Sequence, residues 1–244
     1  MNHLICFTIS WNKKYIDLLK LCIRSLYSQN YTGDILIITS SDFKENILTS
    51  ISFKRPPLFL ISSSNSIGDS SFSKLKIYQY ENISSYDKII YCDCDILWVD
   101  NPKIIFDSID DDKIYIANEA ELMTHEYWGG SILNESEKKD IIQHQVLGIN
   151  AGFFAFNKSS IHLIKRLHDY SIDNNHYMNV CLEQPLFNVF LYRNNCYKIL
   201  NKKFVAFNEY KKNCALIHFL GGPGDYNSKI EKMTRFIERN HENF

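Results

Sequence analysis

Two aspartates that follow an apolar run are the side chains of this sequence best suited to chemistry. Asp93 and Asp95 close the run IIYCDCD at positions 89–95. Because side chains alternate along a strand, both carboxylates are expected on one side of the backbone. Two like charges at that spacing repel each other and raise a pKa unless a cation lies between them. The spacing therefore indicates a divalent-metal site or an acid/base pair, and the plainer alternative is a solvated strand end.

A histidine followed by glycines is the second candidate. His218 lies near the end of the apolar run 215–220, and the sequence GGPG follows at 221–224. Imidazole is a metal ligand, and glycines let backbone N–H groups approach a phosphate closely. Their adjacency makes a metal or phosphate role as good an interpretation as a structural one. A zinc site on Cys92 and Cys94 is a weaker interpretation, since no second cysteine pair has ligand spacing.

These side chains need a scaffold, and the hydrophobic pattern predicts an α/β sheet. Short apolar runs typical of strands buried on both faces lie at 4–9, 34–40, 57–61, 88–93, 113–117, 152–156 and 215–219. Helices are predicted over 15–26, from about residue 73, and over 159–170, 183–193 and 229–239. The expected fold class is a single-domain, Rossmann-like, mostly parallel sheet flanked by helices, with ligands at the carboxyl ends of its strands.

Residues 118–148 show no clear periodicity. This segment carries His125, Tyr127, Trp128 and two glycines that follow the tryptophan. Structureless loops of this length in a compact domain are usually functional or mobile. The aromatic rings can stack on a sugar or take part in ordinary packing, and the sequence leaves both interpretations open.

Composition and charge argue against several classes of protein. The chain has 244 residues, 45% of them hydrophobic, and its net charge is -1. One domain is expected, and the charge argues against a nucleic-acid platform. Seven cysteines lie mostly in apolar runs, which predicts reduced core residues and a cytoplasmic location. No apolar run approaches the roughly 18 residues that span a bilayer, so no transmembrane segment is expected.

Several segments resemble, in the same order, the glycogenin-like family 8 of retaining glycosyltransferases, which have the GT-A fold. They are ISWNKKY at 9–15, SKL at 73–75, DCD at 93–95, NAGFFAF at 150–156, EQPLFN at 183–188 and HFLG at 218–221. An Asp-x-Asp alone occurs in many unrelated proteins, so the ordered set is what makes the resemblance specific. It implies a nucleotide-binding half, residues 1–100, and an acceptor and sugar half, residues 101–244.

The resemblance implies donor-binding roles for the matching residues. The uridine would contact Ile9, Asn12 and Tyr15, although Tyr15 can also be a core residue of the first helix. The residues that would meet the diphosphate and the sugar are Lys74, Asp93, Cys94, Asp95, Asn150, Ala151, Gly152, Gly221 and Gly222.

The resemblance also implies the metal ligands and the catalytic residues. Asp93, Asp95 and His218 would hold the metal. Gln184 would stabilise the reacting sugar centre while the acceptor attacks from the face that the leaving group departs from, and Glu183 would hold sugar hydroxyls. A mixed carboxylate and imidazole ligand set suits Mn²⁺ better than Mg²⁺, which is the alternative ion.

The implied reaction transfers a hexose from a uridine diphosphate (UDP) sugar to a hydroxyl-bearing acceptor, a sugar or a glycoprotein, with retention at the anomeric carbon. Two alternatives stay open. One is an inverting glycosyltransferase or nucleotidyltransferase with the same metal clamp, and the other is an inactive sugar-nucleotide-binding protein. The sequence is also compatible with an oligomer.

The sequence departs from the family pattern at three places. The family has a lysine followed by Pro-Trp three residues after its last motif glycine, where this chain has the sequence GDY at 224–226. Lys229 could reach back from the start of the last helix. Glu183 replaces the more usual aspartate, and Trp11 stands where a small hydroxyl residue is common. These departures affect the diphosphate, the sugar and the edge of the base pocket.

Overall fold

A seven-stranded sheet forms the centre of the molecule. The computed structural model describes residues 2–64, 66–221 and 225–240 of the chain. The strands of this sheet are β1 (His3–Ile9), β2 (Asp34–Thr39), β3 (Leu58–Ile61), β4 (Lys88–Cys92), β6 (Ile114–Leu122), β7 (Leu147–Asn157) and β8 (Tyr197–Ile199). Their spatial order is β3-β2-β1-β4-β7-β6-β8.

The sheet is mostly parallel, with one reversed strand. β1 pairs in parallel with β2 and β4, β2 with β3, and β6 with β8. β7 is antiparallel to both of its neighbours, β4 and β6. The predicted mostly parallel α/β sheet is therefore confirmed. The reversal of β7 has a consequence for the site, because it brings the first half of β7 to the edge where β4 ends.

The helices cover both faces of the sheet. They are α1 (Lys14–Ser28), α2 (Ser41–Ser50), α3 (Ile67–Ser73), α4 (Lys103–Ser108), α5 (Glu135–His144), α6 (Ile161–Asp173), α7 (Gln184–Asn194) and α8 (Tyr226–Arg239). Apolar residues of α1, α4 and α8 pack against one face, where β1 contributes Ile5 and Phe7. Residues of α6 and α7 pack against the other face, where β1 contributes Leu4 and Cys6. Strand alternation thus supplies two cores from the same strands.

A second, three-stranded sheet lies beside the first. It consists of β5 (Ile96–Trp98), β9 (Val205–Phe207) and β10 (Leu216–His218), in the order β5-β10-β9. β10 runs antiparallel to β5 and parallel to β9. Of these three strands the sequence predicts only β10, which lies within the longer apolar run 215–220. β5 and β9 have three residues each, too few to show a period.

The segment 118–148, where the sequence shows no clear periodicity, is largely regular structure rather than a long loop. β6 extends to Leu122, α5 occupies 135–144, and β7 begins at Leu147. Register shifts between Ile116 and Ala117 and between Asn118 and Leu122 break the alternation that would have revealed the longer strand. The helix predicted from about residue 73 is also displaced. α3 ends at Ser73, and a 3-10 helix continues from Lys74 to Gln79.

Two further features concern the cysteines and the helices. All seven cysteines are free thiols, and all except Cys181 are buried. Across residues 2–64, 66–221 and 225–240, none of the helices combines the length and the apolar character that crossing a membrane requires.

The start of α5 offers a test of the regular structure in 118–148. Asn134 accepts a hydrogen bond from the Glu137 backbone N–H at 3.0 Å, and Glu137 accepts one from the Asn134 N–H at 2.8 Å. We expect Asn134→Ala to lower the free energy of unfolding by about 1 kcal/mol, because the substitution removes this capping box. Urea denaturation of Asn134→Ala and of Asn134→Ser, which keeps a capping oxygen, measures the difference. Equal stability of the two variants would contradict the capping role.

Candidate active site

The Asp-x-Asp pair lies at the carboxyl end of β4, as the sequence predicts. β4 ends at Cys92, and the Asp93 backbone N–H donates to the Gly152 carbonyl at 2.8 Å. The Tyr91 hydroxyl donates to Asp93 Oδ1 at 2.5 Å. Asp93 is therefore fixed between the end of β4 and the first half of the reversed strand β7.

His218 reaches the aspartates through the smaller sheet. β10 pairs with β5 so that His218 faces Ile96, the residue after Asp95, and the Phe219 N–H donates to the Asp95 carbonyl at 2.9 Å. His218 Nε2 lies 3.1 Å from Asp95 Oδ1. One ligand atom from each of Asp93, Asp95 and His218 falls within 4.8 Å of the others. We call these three residues the Asp-Asp-His cluster.

Gly152 allows this cluster to form. A Cβ at position 152 would lie 2.4 Å from His218 Cε1 and 2.7 Å from Asp93 Oδ2. Both contacts are far shorter than van der Waals distances, so any larger residue would push the imidazole and the carboxylate apart. The glycine of the NAGFFAF segment is thus required by close packing against the cluster.

Buried polar atoms of the cluster lack hydrogen bonds. Within the described part of the chain, Asp95 Oδ1 and His218 Nδ1 have no hydrogen-bond partner, although both are buried. Asp95 Oδ1 is close to His218 Nε2 without the alignment of a hydrogen bond. A buried, unpaired carboxylate oxygen is costly, and a cation shared with the imidazole would remove that cost. The cluster therefore fits a divalent cation, and its mixed oxygen and nitrogen donors suit a transition metal.

A lysine lies against each aspartate. Lys74 Nζ is 3.3 Å from Asp93 Oδ1 and 2.7 Å from Glu183 Oε1. Burial opposes the charge of Lys74, but the carboxylates of Asp93 and Glu183 outweigh burial and raise the pKa of Lys74. Lys229 Nζ is 2.6 Å from Asp95 Oδ2. Burial alone would raise the pKa of Asp95, but His218 and Lys229 outweigh it and hold that pKa below its usual range.

The predicted sugar-binding residues also lie beside the cluster. Lys74 Nζ donates to the Ala151 carbonyl at 3.2 Å, and the Ala151 N–H donates to Gln184 Oε1 at 3.2 Å. The Gly152 N–H donates to Asn150 Oδ1 at 2.9 Å. Glu183 and Gln184 stand at the start of α7, so this helix delivers both predicted catalytic residues to the same stretch of β7.

The residues predicted to contact the nucleotide lie where β1 meets α1. Ile9 is buried at the end of β1, next to β4, and Asn12 Oδ1 accepts from the Lys14 N–H at 3.0 Å. The Tyr15 ring packs edge-to-face on Tyr226 at 4.8 Å. Burial raises the pKa of the Tyr15 hydroxyl, and the nearby charges of Asp93 and Asp95 raise it further. Tyr15 is thus half-buried and close to the cluster, which accommodates both interpretations made from the sequence.

The structure gives less support to the donor contacts predicted at Cys94 and at the glycines after β10. Cys94 is buried, with its Sγ 3.5 Å from the Thr8 carbonyl, so its thiol is directed toward the core and only its backbone is left for a ligand. Gly221 follows β10, and a Cβ there would lie 2.9 Å from Lys229 Cε. Gly222 lies outside the described residues. Trp11 is half exposed and adopts a left-handed backbone conformation with φ 72°.

Sequence reasoning missed Glu119. This residue lies on β6, and its Oε1 accepts a hydrogen bond from Asn150 Nδ2 at 2.6 Å. Burial raises the pKa of Glu119, and the bond from Asn150 offsets part of that rise. Glu119 therefore fixes the orientation of the Asn150 amide, whose oxygen holds the Gly152 N–H. No motif marks it, since it falls in the segment without periodicity.

The aromatic residues of that segment have different environments. Trp128 is buried, and its Nε1 donates to Glu121 Oε2 at 3.2 Å. Packing is therefore the correct interpretation for Trp128. Tyr127 is 39% exposed and packs edge-to-face on His125 at 4.7 Å. These two rings remain accessible to a ligand.

Solved structures of glycosyltransferases share this fold. The galactosyltransferase LgtC, in complex with donor and acceptor sugar analogs, superposes with a TM-score of 0.65 at 16% identity over 95% of each chain. Mouse xyloside xylosyltransferase 1 gives 0.62 at 14% identity over 90% of this chain and 98% of its own. The bifunctional glycosyltransferase WbbM gives 0.65 at 13% identity, and the match covers 95% of this chain but 49% of that protein.

Comparisons of whole sequences find no match. No protein-family model matches the chain, and no curated protein sequence matches it. At these identities the likeness establishes the fold alone, which is that of the GT-A glycosyltransferases.

Gly152→Ala tests whether close packing holds the cluster together. Its methyl group would displace His218 and Asp93, so we expect affinity for Mn²⁺ to fall by about tenfold or more while the protein stays folded. Gly68→Ala is the control, because the nearest atom to its methyl group is the flexible end of Met178 at 3.0 Å. Isothermal titration with Mn²⁺ and circular dichroism check both variants. Unchanged Mn²⁺ affinity in Gly152→Ala would show that the metal binds elsewhere.

Lys74→Met tests the charge balance of the site. We expect it to lower the free energy of unfolding by about 3 to 5 kcal/mol, because it leaves Glu183 and Asp93 without their buried counter-charge. Lys76→Met is the control on the same 3-10 helix. It removes a hydrogen bond to Ser62 Oγ and should cost under about 1 kcal/mol. Similar losses for the two variants in urea denaturation would refute the buried ion-pair role of Lys74.

Proposed function

We propose that this protein is a metal-dependent, retaining glycosyltransferase of the glycogenin-like family 8. Its reaction transfers a hexose from a UDP-sugar to a hydroxyl-bearing acceptor, a sugar or a glycoprotein. The observation that carries the proposal is the Asp-Asp-His cluster at the carboxyl edge of β4, in a fold shared with glycosyltransferases. The order of the motifs from Ile9 to Gly221 supports the family assignment.

The ligand chemistry of the cluster supports Mn²⁺ as the ion, with Mg²⁺ as the alternative. Mg²⁺ prefers all-oxygen coordination, whereas the cluster offers one imidazole nitrogen beside its carboxylates. When bound, the metal would act as a Lewis acid that neutralises charge developing on the leaving diphosphate. Asp93, Asp95 and His218 would hold it, and Lys74 would add positive potential at the same place.

The residues around the anomeric carbon would hold and stabilise the sugar. Glu183 is anchored through Oε1 by Lys74, so its other oxygen is available to sugar hydroxyls. Gln184 Oε1 accepts the Ala151 N–H, and a carbonyl oxygen has a second lone pair to direct toward a positively charged sugar centre. An amide is a poor nucleophile, so we infer that the acceptor attacks from the side of the leaving group.

The two halves of the chain would contact different parts of the substrates. Residues 1–100 carry the proposed uridine and metal contacts at the ends of β1 and β4. Residues 101–244 carry the sugar-binding stretch of β7, the catalytic pair on α7, and Tyr127 and His125, which we propose as acceptor contacts. Seven free cysteines support work in a reducing compartment, the cytoplasm.

Turnover of UDP-sugars by Asp95→Asn is the principal test. We expect wild type with Mn²⁺ to release UDP from at least one UDP-hexose, and Asp95→Asn to lose about a hundredfold or more in rate, because an amide cannot replace the charged ligand. Asp107→Asn, which alters an exposed aspartate paired with Lys103, should leave the rate unchanged. Full turnover by Asp95→Asn would remove the metal cluster from the mechanism.

The stereochemistry of the product separates the remaining alternatives. Nuclear magnetic resonance of the glycoside formed from an α-linked donor should show an α-linked product. A β-linked product would identify an inverting enzyme. Release of pyrophosphate from a nucleoside triphosphate and a sugar 1-phosphate would identify a nucleotidyltransferase. Binding of UDP and Mn²⁺ without turnover on any donor would favour an inactive sugar-nucleotide-binding protein.

A further inference from the structure

The last helix supplies a lysine to the Asp-Asp-His cluster. Lys229 lies in the first turn of α8, and its Nζ is 2.6 Å from Asp95 Oδ2. The Lys229 side chain is 12% exposed and that of Asp95 is 9% exposed, so the ion pair is largely shielded from water. The two residues are 134 positions apart in sequence. Lys229 belongs to none of the motifs that define the proposed donor site.

Each aspartate of the cluster forms an ion pair with a lysine through one carboxylate oxygen, and its other oxygen remains available to a metal ion. Lys74 contacts Asp93 Oδ1, while Asp93 Oδ2 is the oxygen that a Cβ at position 152 would meet, beside His218 Cε1. Lys229 contacts Asp95 Oδ2, while Asp95 Oδ1 is the unpaired oxygen beside His218 Nε2. The two lysines therefore neutralise most of the negative charge that the carboxylates bring to this edge of the sheet.

The positive charge of Lys229 has opposite effects on the binding of a metal ion and on the binding of a diphosphate. A fixed ammonium group repels an incoming dication and competes with it for Asp95. The same ammonium group attracts a diphosphate, which brings more negative charge than one divalent ion cancels. A cation beside the cluster therefore disfavours the metal alone and favours the metal together with its phosphate ligand.

We propose that Lys229 is a counter-cation that exchanges partners, bonded to Asp95 in the free protein and to diphosphate oxygens once a metal and a nucleoside diphosphate are bound. The proposal rests on the proposed function and concerns the same site. It assigns to α8 a direct part in donor binding.

The path of the Lys229 side chain suits such an exchange. Its Cε lies 2.9 Å from where a Cβ of residue 221 would stand, so the aliphatic stem passes directly over Gly221. Gly221 follows β10 at the end of the strand that presents His218. The ammonium group at the tip of this flexible stem can thus move from Asp95 to an anion at the cluster by rotation of its last bonds. Tyr226, one turn earlier on α8, packs on Tyr15 and keeps the helix against this edge.

Two binding measurements on Lys229→Met test the exchange. For Mn²⁺ alone, followed by electron paramagnetic resonance of the free ion, we expect the variant to bind about tenfold more tightly than wild type, because the competing ammonium group is gone. For UDP at saturating Mn²⁺, followed by calorimetry, we expect the variant to bind about tenfold more weakly, because a phosphate partner is lost.

Control variants separate this role from a structural one. Lys232→Met removes an exposed lysine from the same helix and should leave both affinities unchanged. Lys229→Arg keeps the charge and should return both affinities toward wild type. If Lys229→Met does not fold, Lys229→Gln, which keeps a hydrogen-bond donor for Asp95 without the charge, takes its place and should show the same two shifts.

The outcomes distinguish this proposal from the proposed function. Opposite shifts for Mn²⁺ and for UDP support the exchange. A variant that binds Mn²⁺ no more tightly than wild type, or that binds UDP equally well, would overturn it and leave the proposed function intact, provided that wild type binds Mn²⁺ with UDP. Failure of wild type to bind Mn²⁺ and UDP would overturn both.

Discussion

The structure depends on holding two carboxylates and an imidazole within a few ångströms of one another in a protein with almost no net charge. Asp93, Asp95 and His218 meet this condition within 4.8 Å, and two buried atoms of the group, Asp95 Oδ1 and His218 Nδ1, have no hydrogen-bond partner among the described residues. Such an arrangement is costly by itself, because like charges repel and buried polar atoms need partners. The surrounding elements reduce that cost with lysines from two distant parts of the chain, and they leave one oxygen of each aspartate free for a cation.

Topology explains how residues so far apart in sequence meet. β4 ends at the aspartates, and the single reversed strand β7 lays Gly152 beside them, where no side chain could fit. The smaller sheet then presents His218 through the pairing of β10 with β5. α7 delivers Glu183 to Lys74, and α8 delivers Lys229 to Asp95. These elements thus bring their side chains to the edge where β1 and β4 end. Open α/β sheets bind ligands at this edge.

Short-range patterns in the sequence predict much of this arrangement. The spacing of Asp93 and Asp95 and the buried strands of four or more residues are local signals, and the mostly parallel sheet follows from them. The ion pair of Lys229 with Asp95 and the bond from Asn150 to Glu119 join residues with no local relationship, so no spacing rule reveals them. β5 and β9 are too short to show a period. α5 had a readable signal, the Asn134 capping box, but bulges in β6 obscured its surroundings.

The proposed reaction requires one divalent ion at the Asp-Asp-His cluster. Crystals grown with Mn²⁺ and UDP, with diffraction recorded at the manganese absorption edge, locate that ion directly by its anomalous signal. We expect a single strong peak within coordination distance of Asp93, Asp95 and His218, with the diphosphate on the side of the ion that faces away from these residues. A peak bound by other side chains, or a diphosphate bound at this edge with no peak between the three residues, would contradict it.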